Sequence, residues 1–441
     1  MTSHRCLRAP ANLYVKEKKG KFLVLNPNVP AWLVTNQLGV FILRFCDGDK
    51  TKEQITNEVT TLQPEIKASE IIAFLDYALS KNIFEVTKPK HSRPSFALKS
   101  LYLNITEDCN LDCIYCYAQH RKCTNKSLGF DDYCRILDSA RRVSNDIIVT
   151  FTGGEPLTSS LLFDIARYAR KQDCKTFLLT NGTLISPENV ALVVEMFDEI
   201  KISIDGSTAE INDQTRGEGT FNRVCTALDL LDGANKPYSL SMTVTRLNIH
   251  DVGEMSKRFG GKLSYAPYFH HKDDAADVAL GISGEEYFNA LTKGVGVNPY
   301  CQVDSLIAAN IENRVIQKCS IADGSISIAS NGDVYPCQLL HFPEFKAGNV
   351  KDQSFEDIYQ HSPVLKKLRQ HTVEKIEGCD TCPIALLCGG GCIARHYYET
   401  GSLSSAGCFC EYEQLAILDA LLDRHELQPI GNLPAARARS S

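Results

Sequence analysis

No stretch of the 441-residue chain strings together the roughly 18–20 apolar residues that a bilayer-spanning helix needs, which excludes a membrane protein of that kind. The first thirty residues mix Arg, Lys, Asn and Pro and hold no apolar signal-peptide core. Long basic runs are missing too. With a formal charge of −6, the chain lacks the electrostatic footprint of a nucleic-acid binder, because that binding is driven mainly by phosphate neutralisation. Nor is there an internal repeat at the roughly 20–50-residue periods of solenoids. A hydrophobic fraction of 44% against 23% charged residues excludes wholesale disorder. These absences leave a soluble, cytoplasmic globular protein, and at about 150 residues per domain the length predicts roughly three domains.

Cysteine, by contrast, is abundant. Eighteen cysteines in a large chain without an export signal point away from a secreted disulfide scaffold and toward metal binding. Cys109, Cys113 and Cys116 form one group, and nine more fall between Cys301 and Cys410. The scattered six (Cys6, Cys46, Cys123, Cys134, Cys174 and Cys225) read as core or surface thiols.

Hydrophobic patterning divides the chain. In residues 1–92, alternation in Leu13–Val15 and Phe22–Leu25 around Lys18-Lys19-Gly20 predicts two strands and a turn. Apolar positions then recur at helical spacing over Ala31–Phe45, Ile55–Val59 and Ile71–Leu79, with a closing strand at Phe84-Glu85-Val86. This is a small winged-helix pattern, followed by a linker at Thr87–Pro94. Over residues 93–295, strands are predicted at Leu101–Thr106, Ile147–Thr152, Thr176–Thr180, Ile200–Ile204, Ser239–Val244 and Lys262–Ala266. Helical patterns such as Asp131–Val143, Leu161–Lys171 and Phe221–Leu231 lie between them. The fold class is therefore α/β, a parallel sheet closed or partly closed into a TIM-type (β/α)6 barrel, whose active site belongs at the carboxyl ends of its strands. Residues 296–425 degrade into Gly- and Cys-rich loops that bury little apolar surface and rely on metal, and residues 426–441 read as a disordered tail.

Cys109-Asn110-Leu111-Asp112-Cys113-Ile114-Tyr115-Cys116 directly follows the first barrel strand. Three thiolates in eight residues can hold an iron–sulfur cluster or, with a remote fourth ligand, zinc. Three ligands for a four-iron cluster leave one iron open, and an open position means chemistry. This CX3CX2C pattern resembles the radical S-adenosylmethionine (SAM) family. Phe151-Thr152-Gly153-Gly154-Glu155-Pro156 resembles the family's GGEP motif, whose backbone and Glu hold the SAM amino group, with Gly153 and Gly154 admitting the ligand to the backbone. By the same resemblance Asn181 follows strand three, and Ser203 and Asp205 fall where the ribose is contacted. Arg216 would pair with the SAM carboxylate and Tyr115 would lie against the adenine. The resemblance implies that the cluster gives SAM an electron, producing a 5′-deoxyadenosyl radical that removes hydrogen from an unactivated C–H bond. No catalytic acid or base is assigned, since Glu155 is occupied as an amine ligand.

Further along, Cys319, Gly332 and Cys337 precede Cys379, Cys382, Cys388 and Cys392 in a CX2CX5CX3C order, with Cys408 and Cys410 beyond. This resembles the SPASM extension, which holds two auxiliary 4Fe–4S clusters; a pair of zinc ribbons is the competing reading. The resemblance implies one cluster on Cys319, Cys337 and Cys392, with Cys301 as a candidate fourth ligand or one iron left open. Cys379, Cys382, Cys388 and Cys410 would hold the other, Cys408 competing with Cys410. The N-terminal domain resembles a PqqD-like element that binds a leader peptide by strand addition, with Phe22–Leu25 and a helix starting near Pro30-Ala31-Trp32 as its features. DNA binding and a docking role are the competing readings.

Together these expectations describe a radical SAM maturase of a ribosomal precursor peptide, fed by an electron donor such as flavodoxin or ferredoxin. It would install a thioether or carbon–carbon crosslink without nucleic-acid or membrane partners. A formylglycine-forming sulfatase maturase is the near alternative; its relatives carry Asp after the cysteine matching Cys337, where this chain has Gln338. An iron–sulfur redox sensor is the non-enzymatic one.

Overall fold

The computed structural model describes residues 6–84, 97–116, 127–269, 279–295 and 315–424. The expected closing strand beyond Phe84, the linker, Cys123, Cys301, the loop after Phe269 and the C-terminal tail lie outside the described residues, as do all three expected domain boundaries.

The N-terminal unit is built on an antiparallel sheet of β2 (Tyr14–Lys18), β3 (Lys21–Asn26) and β4 (Ala31–Thr35), in the order β2-β3-β4. Lys19 and Gly20, at φ 52° and 75°, make the two-residue turn that matches strand twist. A short pair, β1 (Cys6–Arg8) with β5 (Asp47–Thr51), lies beside it. Helices follow at Gln37–Leu43, Lys52–Leu62 and Ala68–Ser80. Asn36 caps the first, accepting from Gly39 N at 3.1 Å, and Thr51 and Gln54 form a capping box on the second.

Ala31–Thr35 is a strand and not the start of a helix. All five residues are buried because β4 has a core on each face, Leu33 in one and Trp32 and Val34 in the other. A run buried on both sides carries no period, so length and the β-branched Val34 and Thr35 decide in favour of a strand. Phe22–Leu25 is equally displaced from its expected part. It falls in β3, the middle strand, whose edges are already paired with β2 and β4. Among the described residues β2 and β4 are the edges of this sheet.

Among the described residues the central sheet has nine strands. Six parallel strands, β6 (Ser100–Asn104), β7 (Ile148–Thr152), β8 (Lys175–Thr180), β9 (Glu199–Ser203), β10 (Ser239–Val244) and β11 (Leu263–Pro267), pair in sequence order. Each matches its sequence expectation to within a residue or two. One face, including Leu103, Phe151, Leu178, Ile200, Ile202 and Met242, is buried beneath the helices. The other face carries Tyr102, Asn104, Thr152, Lys201, Ser203, Ser241 and Thr243 and forms the polar lumen of a partial barrel.

On its far side β6 pairs in parallel with β12 (Ser325–Ile328), which continues antiparallel to β13 (Asp333–Tyr335) and β14 (Gly348–Asn349). The C-terminal region thus buries more apolar surface than its composition predicts. Ile326, Ile328, Val334, Leu340, Phe355, Ile358 and Leu365 are buried in the same core as the barrel.

The N-terminal sheet is docked on this region. Leu23, Leu25, Trp32 and Val34 pack against Ile384, Leu387 and the helix Cys410–Arg424 through Ile417, Leu418, Leu421 and Leu422. Lys16 pairs with Asp419 at 2.7 Å and Lys18 with Asp423 at 3.0 Å along the rim.

Candidate active site and cysteine centres

The Cys109–Cys116 loop leaves the carboxyl end of β6 and is pinned by its neighbours. Gly154 N donates to Thr106 O at 2.9 Å and Glu155 N to Asp108 O at 2.8 Å. A Cβ on Gly153 would lie 2.3 Å from Thr106 O, and one on Gly154 would lie 2.2 Å from Asp108 O. The two glycines therefore admit the backbone that leads into the cysteine loop, a contact the sequence alone does not reveal. Further along the loop, Ile114 N donates to Thr215 O at 3.1 Å.

At the end of β8, Asn181 Nδ2 donates to Asn110 Oδ1 at 3.0 Å and approaches Cys109 Sγ at 3.9 Å. Asn110 Nδ2 in turn donates to Thr183 Oγ1 at 2.8 Å. Glu155 is wholly buried. Its Oε1 accepts from Thr180 Oγ1 at 2.7 Å and Leu157 N at 3.1 Å, and its Oε2 accepts from Asn181 N at 2.8 Å. Burial raises its pKa against the pull of those three donors.

Asp205, just past β9, is the second hub. Its Oδ1 accepts from Thr243 N at 2.8 Å. Its Oδ2 accepts from Arg216 Nε at 2.7 Å, from Thr215 Oγ1 at 3.3 Å and from the Tyr115 hydroxyl. Burial alone would lower the Arg216 pKa, but the Asp205 charge outweighs it and raises it. Arg216 lies 5.7 Å from the Tyr115 ring centre, so one carboxylate fixes both the guanidinium and the aromatic of the cysteine loop. Ser203 ends β9 on the lumen face. Burial pushes the Cys113 thiol up to about 11, tempered by Arg216.

The C-terminal cysteines fall into groups. Cys379, Cys382, Cys388 and Cys410 form a group: burial and then the neighbouring thiols raise Cys379 (to about 12) and Cys410, and burial followed by the Glu413 charge and then the other three thiols raises Cys388. Cys408 stands apart. Its N–H donates to Glu399 Oε2 at 2.8 Å, and burial and Glu399 hold its thiol up at about 11. Cys319 and Cys392 are neighbours, the charge of Cys392 adding to the effect of burial on Cys319. Cys337 follows β13 by two residues, at the join with the barrel.

Beside Cys337, Gln338 and Asn104 exchange side-chain hydrogen bonds at 3.1 and 3.2 Å, and Ser327 Oγ donates to Gln338 Oε1 at 2.8 Å. Sequence reasoning missed the parts played by Asn104, Asn110, Thr180 and Thr215, of which Asn110 and Thr180 sit inside motifs.

Among the described residues no three His, Cys, Asp or Glu side chains are drawn together tightly enough for a single metal ion. The donor chemistry fits iron–sulfur clusters. Soft thiols gather in one group of three and one group of four, and burial keeps their protons on until a metal displaces them.

Comparison with known proteins defines the class. The Radical SAM superfamily matches residues 103–259, and the iron–sulfur cluster-binding SPASM domain matches residues 319–383. The chain thus carries a radical SAM domain and a SPASM extension, and its cofactors are a 4Fe–4S cluster with SAM plus auxiliary iron–sulfur clusters. It is 27% identical over 338 residues to the AdoMet-dependent heme synthase of Methanosarcina barkeri (70% of this chain, 95% of that one). Against the mycofactocin maturase MftC of Mycolicibacterium smegmatis it is 27% identical over 321 residues (67% and 78%). Among solved structures, native anSMEcpe with bound AdoMet aligns at TM-score 0.61 and 21% identity, covering 74% of this chain and 98% of that one. Streptococcus suis SuiB bound to precursor peptide SuiA aligns at TM-score 0.55 and 18% identity, covering 92% and 100%. Among the described residues no helix is long and apolar enough to cross a membrane.

Proposed function

We propose that the protein matures a ribosomally made precursor peptide, installing an intramolecular thioether or carbon–carbon crosslink. The observation that carries this reading is the three-stranded N-terminal sheet docked on the helix that begins at Cys410. It joins a strand-presenting unit to a radical barrel through the auxiliary cysteines, and the fold likeness to SuiB over 92% of this chain supports it. Residues 1–92 are assigned as a PqqD-like recognition domain, in which an extended leader adds to edge strand β2 or β4. Residues 93–295 form the radical barrel and 296–425 the SPASM domain.

When bound, the cluster on Cys109, Cys113 and Cys116 and its SAM supply hydrogen-atom abstraction from an unactivated C–H bond. The chain supplies placement. Gly153 and Gly154 seat the cysteine loop, and Asn181 and Asn110 hold Cys109. Arg216 offers the SAM carboxylate the guanidinium nitrogens beyond Nε, which Asp205 keeps. Ser203 and Asp205 face the ribose, and Tyr115 the adenine. Glu155 must exchange one of its protein donors to meet the SAM amino group. Cys319, Cys337 and Cys392 are assigned to one auxiliary cluster, with Cys301 as candidate fourth ligand; Cys379, Cys382, Cys388 and Cys410 are assigned to the other. A cytoplasmic flavodoxin or ferredoxin is the proposed reductant. Gln338 disfavours the formylglycine reading, since its amide is tied to Asn104 and provides no carboxylate base.

The test is anaerobic incubation of the reconstituted enzyme with SAM, reductant and the peptide encoded beside its gene. A product lighter by two hydrogens and resistant to fragmentation between the linked residues supports crosslinking; an unmodified peptide despite SAM cleavage refutes it. The identity to AdoMet-dependent heme synthases gives a second reading, and heme formed from a porphyrin precursor under the same conditions would favour it.

A further inference from the structure

A buried charged trio joins the two cysteine groups of the C-terminal region. Arg395 lies in the first turn of the helix Ile393–Thr400, three residues after Cys392. Glu413 lies one turn into the helix Cys410–Arg424, three residues after Cys410. Arg395 Nη2 donates to Glu413 Oε1 at 2.6 Å, and its Nε stands 3.8 Å from Glu399 Oε1. The side chains of Arg395, Glu399 and Glu413 are only 5%, 7% and 14% exposed. Phe409 covers the guanidinium, its ring centre 4.8 Å away.

A buried pair of opposite charges acts on its surroundings as a dipole, so each end imposes the sign of its nearer member. Arg395 acts on Cys392 more strongly than Glu413 does, whereas Glu413 acts on Cys410 more strongly than Arg395 does and is the strongest charge on Cys388. Glu399 Oε1 stands by Arg395 Nε, and its other oxygen accepts from Cys408 N. A reduced cluster carries one more negative charge than an oxidised one. A nearby cation therefore favours reduction and a nearby anion opposes it.

We propose that the Arg395–Glu413 pair orders the two auxiliary clusters by reduction potential, making the Cys319/Cys337/Cys392 cluster the easier to reduce and the Cys379/Cys382/Cys388/Cys410 cluster the harder. Cys337 follows a strand of the shared sheet, so the easier acceptor lies on the barrel side. That cluster would take the one electron a substrate radical gives up as its crosslink forms, while the linked residue loses its proton to solvent. Arg395 and Glu413 act through the clusters as positioning residues. This inference rests on the cysteine assignment proposed above.

The test is a potentiometric titration followed by electron paramagnetic resonance. It uses reconstituted full-length protein carrying Cys109→Ala, Cys113→Ala and Cys116→Ala, so that only auxiliary signals remain, with Cys410→Ser to assign them. Two separated midpoints are expected. At the potential where the Cys392-side signal is half reduced, Arg395→Gln should lower its reduced-to-oxidised ratio about tenfold, equivalent to about 59 mV for one electron. Arg395→Lys should recover much of that change, whereas Glu413→Gln should move the Cys410-side signal in the opposite direction. Should Arg395→Gln fail to load iron, the Lys and Glu413→Gln variants decide the matter. Midpoints that stay put, or that shift together by the same amount, overturn the ordering. Fewer than two auxiliary signals in the parent protein overturns the cysteine assignment, and the inference with it.

Discussion

Replacing Gly154 with Ala isolates the coupling between the GGEP turn and the cysteine loop. The φ of Gly154 is not positive, so Ala meets no backbone penalty there and the whole effect is collision. The new Cβ would lie 2.2 Å from Asp108 O, 2.6 Å from Asp108 C and 2.8 Å from Glu107 O, all backbone atoms, whereas ordinary contact begins at 3.4 Å. The carbonyl next to Cys109 must retreat by about 1 Å, a misplacement that can cost on the order of 10²-fold in rate. Overpacking of this kind typically costs about 1–3 kcal/mol of stability. Gly217→Ala is the control, since it has a φ of +96° but nothing within 4 Å, and so bears backbone strain without collision. The assay is 5′-deoxyadenosine release under anaerobic reduction, with iron per chain and thermal midpoint measured alongside. We expect Gly154→Ala to lose about two orders of magnitude in SAM cleavage while retaining the auxiliary iron, and Gly217→Ala to lose far less. Wild-type cleavage by Gly154→Ala would refute the view that this glycine seats the loop.

Other outcomes follow from the same geometry. Replacing Cys109, Cys113 and Cys116 with Ala should lower iron from about twelve to about eight atoms per chain and abolish SAM cleavage, by iron assay and chromatography. Cys410→Ser should cost the chain an auxiliary cluster, whereas Cys408→Ser should keep its iron, because Cys408 faces Glu399 and not the other thiols. Asp205→Asn should destabilise by about 3–5 kcal/mol in denaturant titrations, since it leaves the buried Arg216 charge unpaired. Trp32→Ala should cost about 3–5 kcal/mol and loosen the N-terminal sheet from the helix after Cys410, seen as faster hydrogen exchange at Leu418–Leu422.

The middle of the barrel was readable because β8, β9 and β10 have one face under the helices and one facing the lumen, which imposes alternation, whereas Ile148–Thr152 is buried at four of its five residues and showed only as an apolar, β-branched run. Ser239–Val244 alternates residue by residue and was placed without error. The cysteine motifs were readable because their ligands are close in sequence. Ala31–Thr35 was not, since burial on both faces erases the period that separates strand from helix. Arg395 and Glu413 were invisible for another reason: eighteen residues apart on different helices, they meet only through the fold. Gly153 and Gly154 were found, but not their contact with the backbone of Thr106 and Asp108, because a glycine pair signals close approach without saying what approaches.

The strand that launches the Cys109 loop lies inside a sheet whose last three strands are supplied much later in the chain, Ser100 aligning with Ser325. During synthesis β6 therefore emerges from the ribosome with a bare hydrogen-bonding edge, and it stays so until the C-terminal region is made. A premature stop anywhere before β12 would release a sticky partial sheet, and the oxygen-sensitive centre would be loaded onto a scaffold not yet closed. Maturation of the metal sites is thereby tied to completion of the polypeptide.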